Sequence, residues 1–492
     1  MSSPLYIAVD LGAGSGRVFL AGVGQGEFLL EEIHRFQNLP REQAGHLRWN
    51  FTEIFAEIKF GLKAAGERAR MRGRPIQSIG VDSWGVDYGL LDAGGELLAD
   101  PVCYRDDRTN NVMEQVFDTV PRDEIFKKTG IQFQNFNTLY QLYSDEGRGD
   151  AADLLLLPDL VNYFLTGRKV AEYTNATTMQ VLNVASSGWD IDLLVRLDLP
   201  AGILQKVVPA GTDLGLLRAE IAAELGLAGV SVIAPATHDT ASAVAGAPLS
   251  ENTSYISSGT WSLVGVERKD ALTSAEAARQ NFTNEGGVYG TIRFLKNVMG
   301  LWIFESCRRE WKATGIDVEY HAIIGDISKI KDFTAFIFPD DERFMNPRSM
   351  IEAIRQQLNE TGQQFDETPA AVSKIIFDSL AFRYASVLQA IELLTNSRLE
   401  GIHILGGGGR NGYLTQMTAN ASGLTTTAGL TEATVVGNVL VQAITAGRFS
   451  SISDARDHVR ANFELKNFDP KQSLEIDEAA NRYASVEKRF VL

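Results

Sequence analysis

Short apolar runs separated by glycine turns fill the first part of the chain, and this pattern constrains the fold more than any other feature. The runs at Leu5–Leu11, residues 17–23 and residues 27–36 each have the length and composition of a strand. Three strands joined by tight turns predict an antiparallel start to a sheet. A Rossmann sheet is excluded, because it needs a helix directly after the first glycine turn.

A helix and a fourth strand follow these runs. Asn50 and Glu53 form a capping-box pattern, and apolar residues then recur at helical spacing until Gly73 and Pro75. Residues 76–81 return to a strand pattern. The order of three strands, a helix and a strand predicts the ribonuclease H-like core of actin-type ATPases.

The same pattern restarts after residue 248. Residues 254–257 and 261–267 are predicted strands, and residues 369–396 form a long helical stretch. The run Gly401–Leu405 is a buried-looking strand that leads into four glycines and a helix from about Asn411. We interpret this as a degenerate internal duplication.

The predicted fold is therefore α/β, with two ribonuclease H-like (actin-like ATPase) domains and a cleft between them. The predicted domains are residues 1–247 and 248–492, and hinge closure is expected. In the second domain, Thr431 is predicted to cap a helix that ends at Gly447.

Composition limits the class of partner. The 492 residues are too many for one ordinary core, and a net charge of -16 disfavours nucleic acid and anionic membranes and favours a small molecule. No export signal and no apolar run long enough for a membrane helix are recognisable, so a cytoplasmic protein is expected. Cys103 and Cys307 are the only cysteines, and each is predicted to be a small core residue.

The first candidate site is the glycine turn from Asp10 to Arg17. Its glycines let main-chain amides approach phosphate oxygens, and a carboxylate at a strand end can hold Mg²⁺ directly or through water. A plain hairpin turn explains the cluster equally well. Arg17 stands where a dinucleotide fingerprint needs glycine, and a P-loop ending is absent from the sequence.

Two further candidate sites contain acids near strand ends. In residues 80–88, Asp82 and Asp87 flank Trp84, a combination that can bind a polyol; alternatively, Trp84 is core and the acids belong to turns. In residues 235–240, Asp239 is a candidate base; alternatively, Asp239 or Thr240 caps the following helix.

The fourth candidate site consists of two turns in the second half. Gly259 and Thr260 can offer amide and hydroxyl donors to phosphate, while the glycines at 406–409 can admit a flat adenosine. Each is an ordinary glycine turn when taken alone. Together they suggest a nucleotide held by both halves of the chain.

These motifs, taken in order, resemble those of the FGGY family of carbohydrate kinases over nearly the whole chain. Within the family, residues 81–88, 235–243, 255–264 and 295–302 are closely similar to the members that act on L-rhamnulose. The resemblance implies transfer of the γ-phosphoryl group of MgATP to the 1-hydroxyl of L-rhamnulose by a monomer or homodimer.

The resemblance also implies roles for single residues. ATP contacts are implied at Ala13, Gly14, Ser15, Gly16, Arg17, Thr260, Glu305 and Gly407. Sugar contacts are implied at Gly85, His238, Asp239, Thr240 and Asn297. Asp239 becomes the proton acceptor, and Asp10 resembles the metal-associated acid. Two positions depart from the pattern, since related members commonly have serine at Gly14 and glutamine at Glu305.

Three alternatives remain open at this stage. One is a kinase of another sugar or polyol, such as fuculose, xylulose, ribulose or glycerol. Another is a non-catalytic, nucleotide-switched protein with the actin fold, which the acids Asp10 and Asp239 argue against. A nicotinamide-dependent enzyme is disfavoured by Arg17 and by the charge of Asp10.

Overall fold

A computed structural model describes residues 3–24, 26–330 and 333–490 of the chain. Its strands are β1 (Leu5–Leu11), β2 (Ser15–Gly24), β3 (Glu27–Gln37), β4 (Arg41–Gln43), β5 (His46–Arg48), β6 (Ile76–Ser83), β7 (Tyr88–Leu91), β8 (Asp153–Leu156), β9 (Ala171–Glu172), β10 (Leu182–Asn183), β11 (Gly188–Trp189), β12 (Val207–Val208), β13 (Thr212–Leu216), β14 (Ser231–Ala234), β15 (Thr253–Ser258), β16 (Trp261–Arg268), β17 (Thr283–Gly286), β18 (Ile292–Met299), β19 (Gly401–Leu405), β20 (Thr426–Ala428) and β21 (Lys466–Phe468).

The α-helices are α1 (Phe51–Met71), α2 (Val112–Thr119), α3 (Arg122–Thr129), α4 (Thr138–Tyr143), α5 (Leu157–Thr166), α6 (Tyr173–Ala176), α7 (Ile191–Arg196), α8 (Ala219–Leu225), α9 (Asp239–Gly246), α10 (Ala275–Arg279), α11 (Trp302–Ala313), α12 (Tyr320–Ile327), α13 (Met350–Glu360), α14 (Pro369–Thr395), α15 (Gly412–Ser422), α16 (Ala433–Thr445), α17 (Ile452–Asn462) and α18 (Leu474–Phe490). Short 3₁₀ turns, including Gly407–Arg410, connect several elements. Within the described ranges, every helix is too short or too polar to cross a bilayer.

The chain divides into two compact units whose boundaries are not a single cut. The first unit contains the chain up to Pro248 together with Glu267–Phe294 and Glu432–Asn462, and the second contains the remaining segments. Buried contacts explain why segments of the second half join the first unit. Arg456 lies 2.8 Å from Glu267 and donates a hydrogen bond of 2.9 Å to the carbonyl of Val244.

The first sheet has the strand order β13-β14-β6-β1-β2-β3. β1 pairs antiparallel with β2 and parallel with β6, and all of its residues are buried. A parallel strand covered on both faces reads as a continuous apolar run, which is the pattern of residues 5–11. The predicted helix is confirmed at α1, where the Asn50 side chain accepts a hydrogen bond of 3.1 Å from the amide of Glu53.

The second sheet repeats this topology. Its strand order is β17-β18-β16-β15-β19-β20-β21, with β15 antiparallel to β16 and parallel to β19, and with β19 parallel to β20. Strands β15, β16, β19 and β20 therefore correspond to β1, β2, β6 and β14 of the first sheet. This repeat confirms the predicted α/β fold with two ribonuclease H-like sheets.

The predicted cap at Thr431 is wrong. Helix α16 begins at Ala433 with Glu432 at the N-cap position, and its first turn receives no side-chain cap hydrogen bond. The carboxylate of Glu432 instead accepts a hydrogen bond of 2.5 Å from Arg17. The side chain of Glu432 thus binds a distant arginine and does not cap its own helix.

Helices α9 and α16 pack in the first unit with their backbones in contact. A Cβ atom added to Gly437 would lie 1.7 Å from the Ser242 carbonyl oxygen, and one added to Gly246 would lie 2.5 Å from the Ala433 carbonyl oxygen. This close approach brings Gln442 of α16 within reach of the sheet. Its amide donates a hydrogen bond of 3.1 Å to the carbonyl of Ile7 in β1.

We expect Gly437→Ala to lower the free energy of unfolding by at least about 2 kcal/mol, because the backbone of α9 would have to move away. Gly325→Ala is the matched control, since Gly325 also lies within a helix but has open space around its Cβ position. The control is expected to be neutral or stabilising by up to about 1 kcal/mol. Urea denaturation measures both changes, and wild-type stability of Gly437→Ala would contradict the packing.

Candidate active site

Three carboxylates gather at the carboxyl ends of neighbouring parallel strands in the first unit. Asp10 of β1 lies opposite Asp82 of β6 in the strand register. The amide of Ser83 donates a hydrogen bond of 2.9 Å to the carbonyl of Thr237, which places the chain before Asp239 beside the end of β6. Ligands in open α/β sheets bind at this edge, so the strand ends are the candidate site.

Arg17 neutralises part of the charge in this cluster. It stands opposite Asp10 in the pairing of β1 with β2, and its guanidinium contacts the carboxylates of both Asp10 and Glu432. Burial raises the pKa of Asp10, while the positive charge of Arg17 opposes this rise. The glycine turn predicted from Asp10 to Arg17 is therefore tied to Glu432, an acid that lies far along the chain.

Asp82 is the most enclosed of these acids. Burial, followed by the negative charge of Asp10, raises the pKa of Asp82 well above its ordinary value. Its Oδ2 atom accepts a hydrogen bond of 2.5 Å from Asn438, whereas Oδ1 is buried with no partner among the described residues. The cluster thus contains more acidic than basic groups, which favours a cation at the strand ends.

Magnesium fits this donor set when it arrives with phosphate. Within the described ranges, no three acidic, histidine or cysteine side chains form a group able to hold a metal ion. Mg²⁺ usually keeps several waters and binds through one or two carboxylates together with substrate phosphates. Asp10, beside Arg17, is the acid that suits such partial coordination.

Asp239 is more accessible than the other acids of the cluster. It is the first residue of α9, after His238 at the N-cap position, and its side chain is 29% exposed. Neither Asp239 nor Thr240 is the N-cap, although the Asp239 carboxylate accepts a hydrogen bond of 2.5 Å from the amide of Thr240. The carboxylate can therefore reach a ligand at the strand ends.

A buried glutamate holds the turn that carries Asp239. One oxygen of Glu172 accepts hydrogen bonds of 3.0 Å from the amide and 2.9 Å from the hydroxyl of Thr237. The same oxygen accepts hydrogen bonds from the amide and hydroxyl of Thr174. Burial raises the pKa of Glu172, and these donors counteract the rise. Glu172, which lies 65 positions before Thr237, thus anchors the turn to an earlier segment of the chain.

His238 lies beside a second buried ion pair. Its Nδ1 atom is 3.0 Å from Nη2 of Arg293, and its Nε2 atom is 3.5 Å from Oδ1 of Asp239. Arg293 is fully buried and lies 3.1 Å from Glu285. Sequence reasoning missed Arg293, Glu285, Glu172 and Glu432, because no local motif marks a residue whose partner is distant in the chain.

Trp84 and Asp87 lie in the core, and Gly85 lies close to Thr178. Trp84 is buried, and its indole donates a hydrogen bond of 2.9 Å to Asp87, which also accepts one of 2.7 Å from Trp49. These contacts favour the alternative in which Trp84 is core and Asp87 holds a turn. A Cβ atom on Gly85 would lie 2.9 Å from the Thr178 hydroxyl, so this position needs glycine.

In the second unit, the structure brings the two candidate glycine turns together. A Cβ atom on Gly408 would lie 2.0 Å from the Ser258 hydroxyl, which shows how closely the turn after β19 approaches the turn after β15. Thr260 accepts a hydrogen bond of 3.2 Å at its carbonyl from the amide of Gly300. Gly407 begins the 3₁₀ turn after β19.

Two more of the predicted residues lie on different elements of the second unit. Asn297 is half-buried on β18. Glu305 lies in the first turn of α11, 42% exposed, with its carboxylate 2.9 Å from Arg308. Arg308 offsets part of the negative charge of Glu305.

Comparison with known proteins gives the family. Residues 5–246 match the N-terminal domain of the FGGY family of carbohydrate kinases, and residues 254–446 match its C-terminal domain. The rhamnulokinase of Bacteroides thetaiotaomicron is 42% identical over 96% of this chain and 97% of its own length. The rhamnulokinase of Bacillus subtilis is 38% identical over 95% and 96% respectively.

Solved structures agree at the level of the fold. The ligand-bound xylulose kinase of Lactobacillus acidophilus has a TM-score of 0.80 at 14% identity, covering 99% of this chain and 97% of that chain. Glycerol kinase of Plasmodium falciparum, solved with ADP, has a TM-score of 0.79 at 13% identity, covering 100% of this chain and 99% of that chain.

The chain belongs to the FGGY family of carbohydrate kinases. This confirms the prediction of an ATP-dependent sugar kinase.

We expect Asp87→Asn to change the pH dependence of stability. Burial raises the pKa of Asp87 from 3.8 to about 6, so the folded protein holds this proton more strongly than the unfolded chain. The free energy of unfolding is therefore expected to fall by on the order of 3 kcal/mol as pH rises from about 4 to about 6, because the stability contributed by the protonated group is lost.

Urea denaturation across this pH range compares the wild type with the variant. The stability of the wild type relative to Asp87→Asn should fall as pH rises, because the asparagine does not titrate. The sugar KM should stay unchanged, since the carboxylate faces the indoles. A stability difference that is constant with pH would contradict the effect of burial on this acid.

Proposed function

We propose that the protein phosphorylates L-rhamnulose at the 1-hydroxyl with MgATP, giving L-rhamnulose 1-phosphate and ADP. The accessible carboxylate of Asp239 beside the strand-end acids is the observation that carries the proposed chemistry. The choice of sugar is supported by relatives named rhamnulokinase, which are 36% to 42% identical over nearly the whole chain.

Asp239 would accept the proton of the sugar hydroxyl as the phosphoryl group is transferred. Because this transfer passes through a loose, highly charged transition state, positioning and charge stabilisation supply most of the acceleration. Magnesium would offset the phosphate charge, with Asp10 holding it directly or through water. Arg17 would orient Asp10 in this role.

The other residues would bind the two substrates. Contacts to the sugar are proposed for Gly85, His238, Thr240 and Asn297. Contacts to ATP are proposed for Ala13, Gly14, Ser15, Gly16, Arg17, Thr260, Glu305 and Gly407. Glycine at position 14 still offers its amide to phosphate. Because ATP is consumed and the net charge is -16, we propose cytoplasmic action without nucleic acid or a membrane as partner.

Asp239→Asn is expected to lower turnover by roughly 10²–10⁴-fold, because the amide cannot accept the hydroxyl proton. The KM for ATP should change little, since the proposed ATP contacts lie elsewhere. Asp270→Asn, an exposed acid of the same unit, is the control and should retain wild-type turnover. Coupled detection of ADP measures each rate, and near-normal turnover of Asp239→Asn would remove this residue from catalysis.

Asp10→Asn is expected to raise the Mg²⁺ concentration for half-maximal activity by about 10- to 100-fold, because a charged oxygen near the ion is lost. Mg²⁺ titration of the chelator-treated enzyme measures this shift. The exposed Asp270→Asn variant should titrate like the wild type. An unchanged Mg²⁺ requirement in Asp10→Asn would place the ion elsewhere.

A substrate panel tests the sugar. L-rhamnulose should give the highest kcat/KM when compared with L-fuculose, xylulose, ribulose and glycerol under the same ADP assay. A higher value for another member would move the specificity to that sugar. ADP release that does not depend on any sugar would favour the nucleotide-switched alternative.

A further inference from the structure

The buried side chain of Arg293 is held in one position by three partners. Its Nε donates a hydrogen bond of 2.9 Å to the carbonyl of Gly286, and Nη2 lies 3.1 Å from the Glu285 carboxylate. The same Nη2 lies 3.0 Å from Nδ1 of His238. Arg293 is 0% exposed, so water cannot replace any of these contacts. Its guanidinium therefore meets the histidine in a defined orientation.

This contact determines which histidine nitrogen carries the proton. Arginine has only donors and stays protonated in proteins, so the atom facing it must accept. A hydrogen on Nδ1 would point at a guanidinium hydrogen over a nitrogen separation of 3.0 Å. Glu285 is the competing acceptor, but its Oε2 atom is 3.4 Å from Nδ1, which is farther than Nη2 of Arg293, and it lies at an ion-pair distance of 3.1 Å from that arginine. The single proton of neutral His238 therefore belongs on Nε2.

The other side of the imidazole faces the proposed catalytic base. Nε2 of His238 lies 3.5 Å from Oδ1 of Asp239, which is long for a hydrogen bond. A donor at this distance remains available to an oxygen atom of a ligand that approaches both side chains from the same side. The histidine is 9% exposed and the aspartate 29%, so a ligand approaching Asp239 also meets this Nε2–H group.

We propose that Arg293 is a positioning residue that keeps the proton of the neutral His238 ring on Nε2, so that the imidazole donates to a sugar oxygen beside Asp239. This inference rests on the proposed function for the identity of the ligand. The roles of the two neighbours are then distinct, because His238 supplies a hydrogen and Asp239 accepts one. With the proton on Nδ1, the imidazole would instead present a lone pair and compete with Asp239 for the sugar proton.

The first experiment determines the tautomer of His238 in the wild-type enzyme in the absence of substrates. Long-range ¹H–¹⁵N spectra of protein labelled with ¹⁵N-histidine report the protonation of each ring nitrogen, and His238→Gln identifies the signal among six histidines. We expect an unprotonated Nδ1 and a protonated Nε2 in neutral buffer. A proton on Nδ1, in either the neutral or the charged ring, would overturn the proposal.

The second experiment removes the guanidinium. The double variant Arg293→Met/Glu285→Gln neutralises both partners, so that neither is left as an isolated buried charge. We expect a proton to appear on Nδ1 in part of the population, and the sugar KM to rise by roughly 3- to 10-fold through the loss of a donor. The KM for ATP should not change. A His238 signal identical to that of the wild type would show that Arg293 does not set the tautomer.

Two further variants distinguish an effect of Arg293 on the His238 tautomer from a general effect on the stability of the fold. Arg456→Met/Glu267→Gln removes another arginine–glutamate pair of the same unit, in which the arginine is buried and also donates to the carbonyls of Val244 and Ala245. This control should keep the wild-type His238 signal and sugar KM. Arg293→Lys keeps a donor and should preserve the Nε2 proton, which also tests the proposal if the double variant does not fold.

The spectra distinguish failure of this inference from failure of the proposed function. They are recorded without sugar or nucleotide, so a different sugar specificity would leave the tautomer result unchanged. A protonated Nδ1 in an enzyme that phosphorylates L-rhamnulose would overturn only the role of Arg293.

Discussion

The parallel pairing of β1 with β6 sets Asp10 beside Asp82, and the burial of these two acids is the constraint on which the site depends. Burial, and after it the negative charge of Asp10, raises the pKa of Asp82 well above its ordinary value. Arg17 and Asn438 offset only part of this repulsion. An excess of acidic over basic groups at the strand ends favours a cation that is bound together with an anionic substrate, in agreement with the proposed use of MgATP.

The repeated sheet topology shows how one fold can present two different edges. In the first sheet, the strand end before α9 leads to His238 and the acid Asp239, whereas the equivalent strand of the second sheet leads to Glu432 before α16. The first hairpin turn of the first sheet follows Asp10, while that of the second sheet contains Gly259 and Thr260. The repeats therefore share their hydrogen-bonded framework and differ in the chemistry at the strand ends. Fold and site are separable in this way because strand pairing uses backbone groups, while the strand ends expose side chains.

Buried polar contacts turn this general framework into a defined arrangement around Asp239. Glu172 accepts four hydrogen bonds that tie residues 174 and 237 together, and Nη2 of Arg293 lies 3.0 Å from Nδ1 of His238. Each of these groups would be costly to bury alone, so the set is stable only when every partner is present. Such interdependence limits how far the turn can move. This restriction would benefit the proposed base, which has to meet one hydroxyl of the sugar.

The sequence alone determined the order of strands and helices, the internal repeat, the α/β class and the family, because hydrophobic periodicity and glycine turns are local signals. It also singled out Asp10, Arg17, His238 and Asp239, each of which stands next to a strand or a turn that can be recognised. Only the tertiary structure decided that Trp84 and Asp87 face each other in the core, that Glu432 binds Arg17 rather than leaving the cap to Thr431, and that Arg293 reaches His238. These outcomes depend on charges that are brought together from segments up to 415 positions apart. Burial makes such contacts strong, and no local pattern in the chain records which partner will be buried beside which.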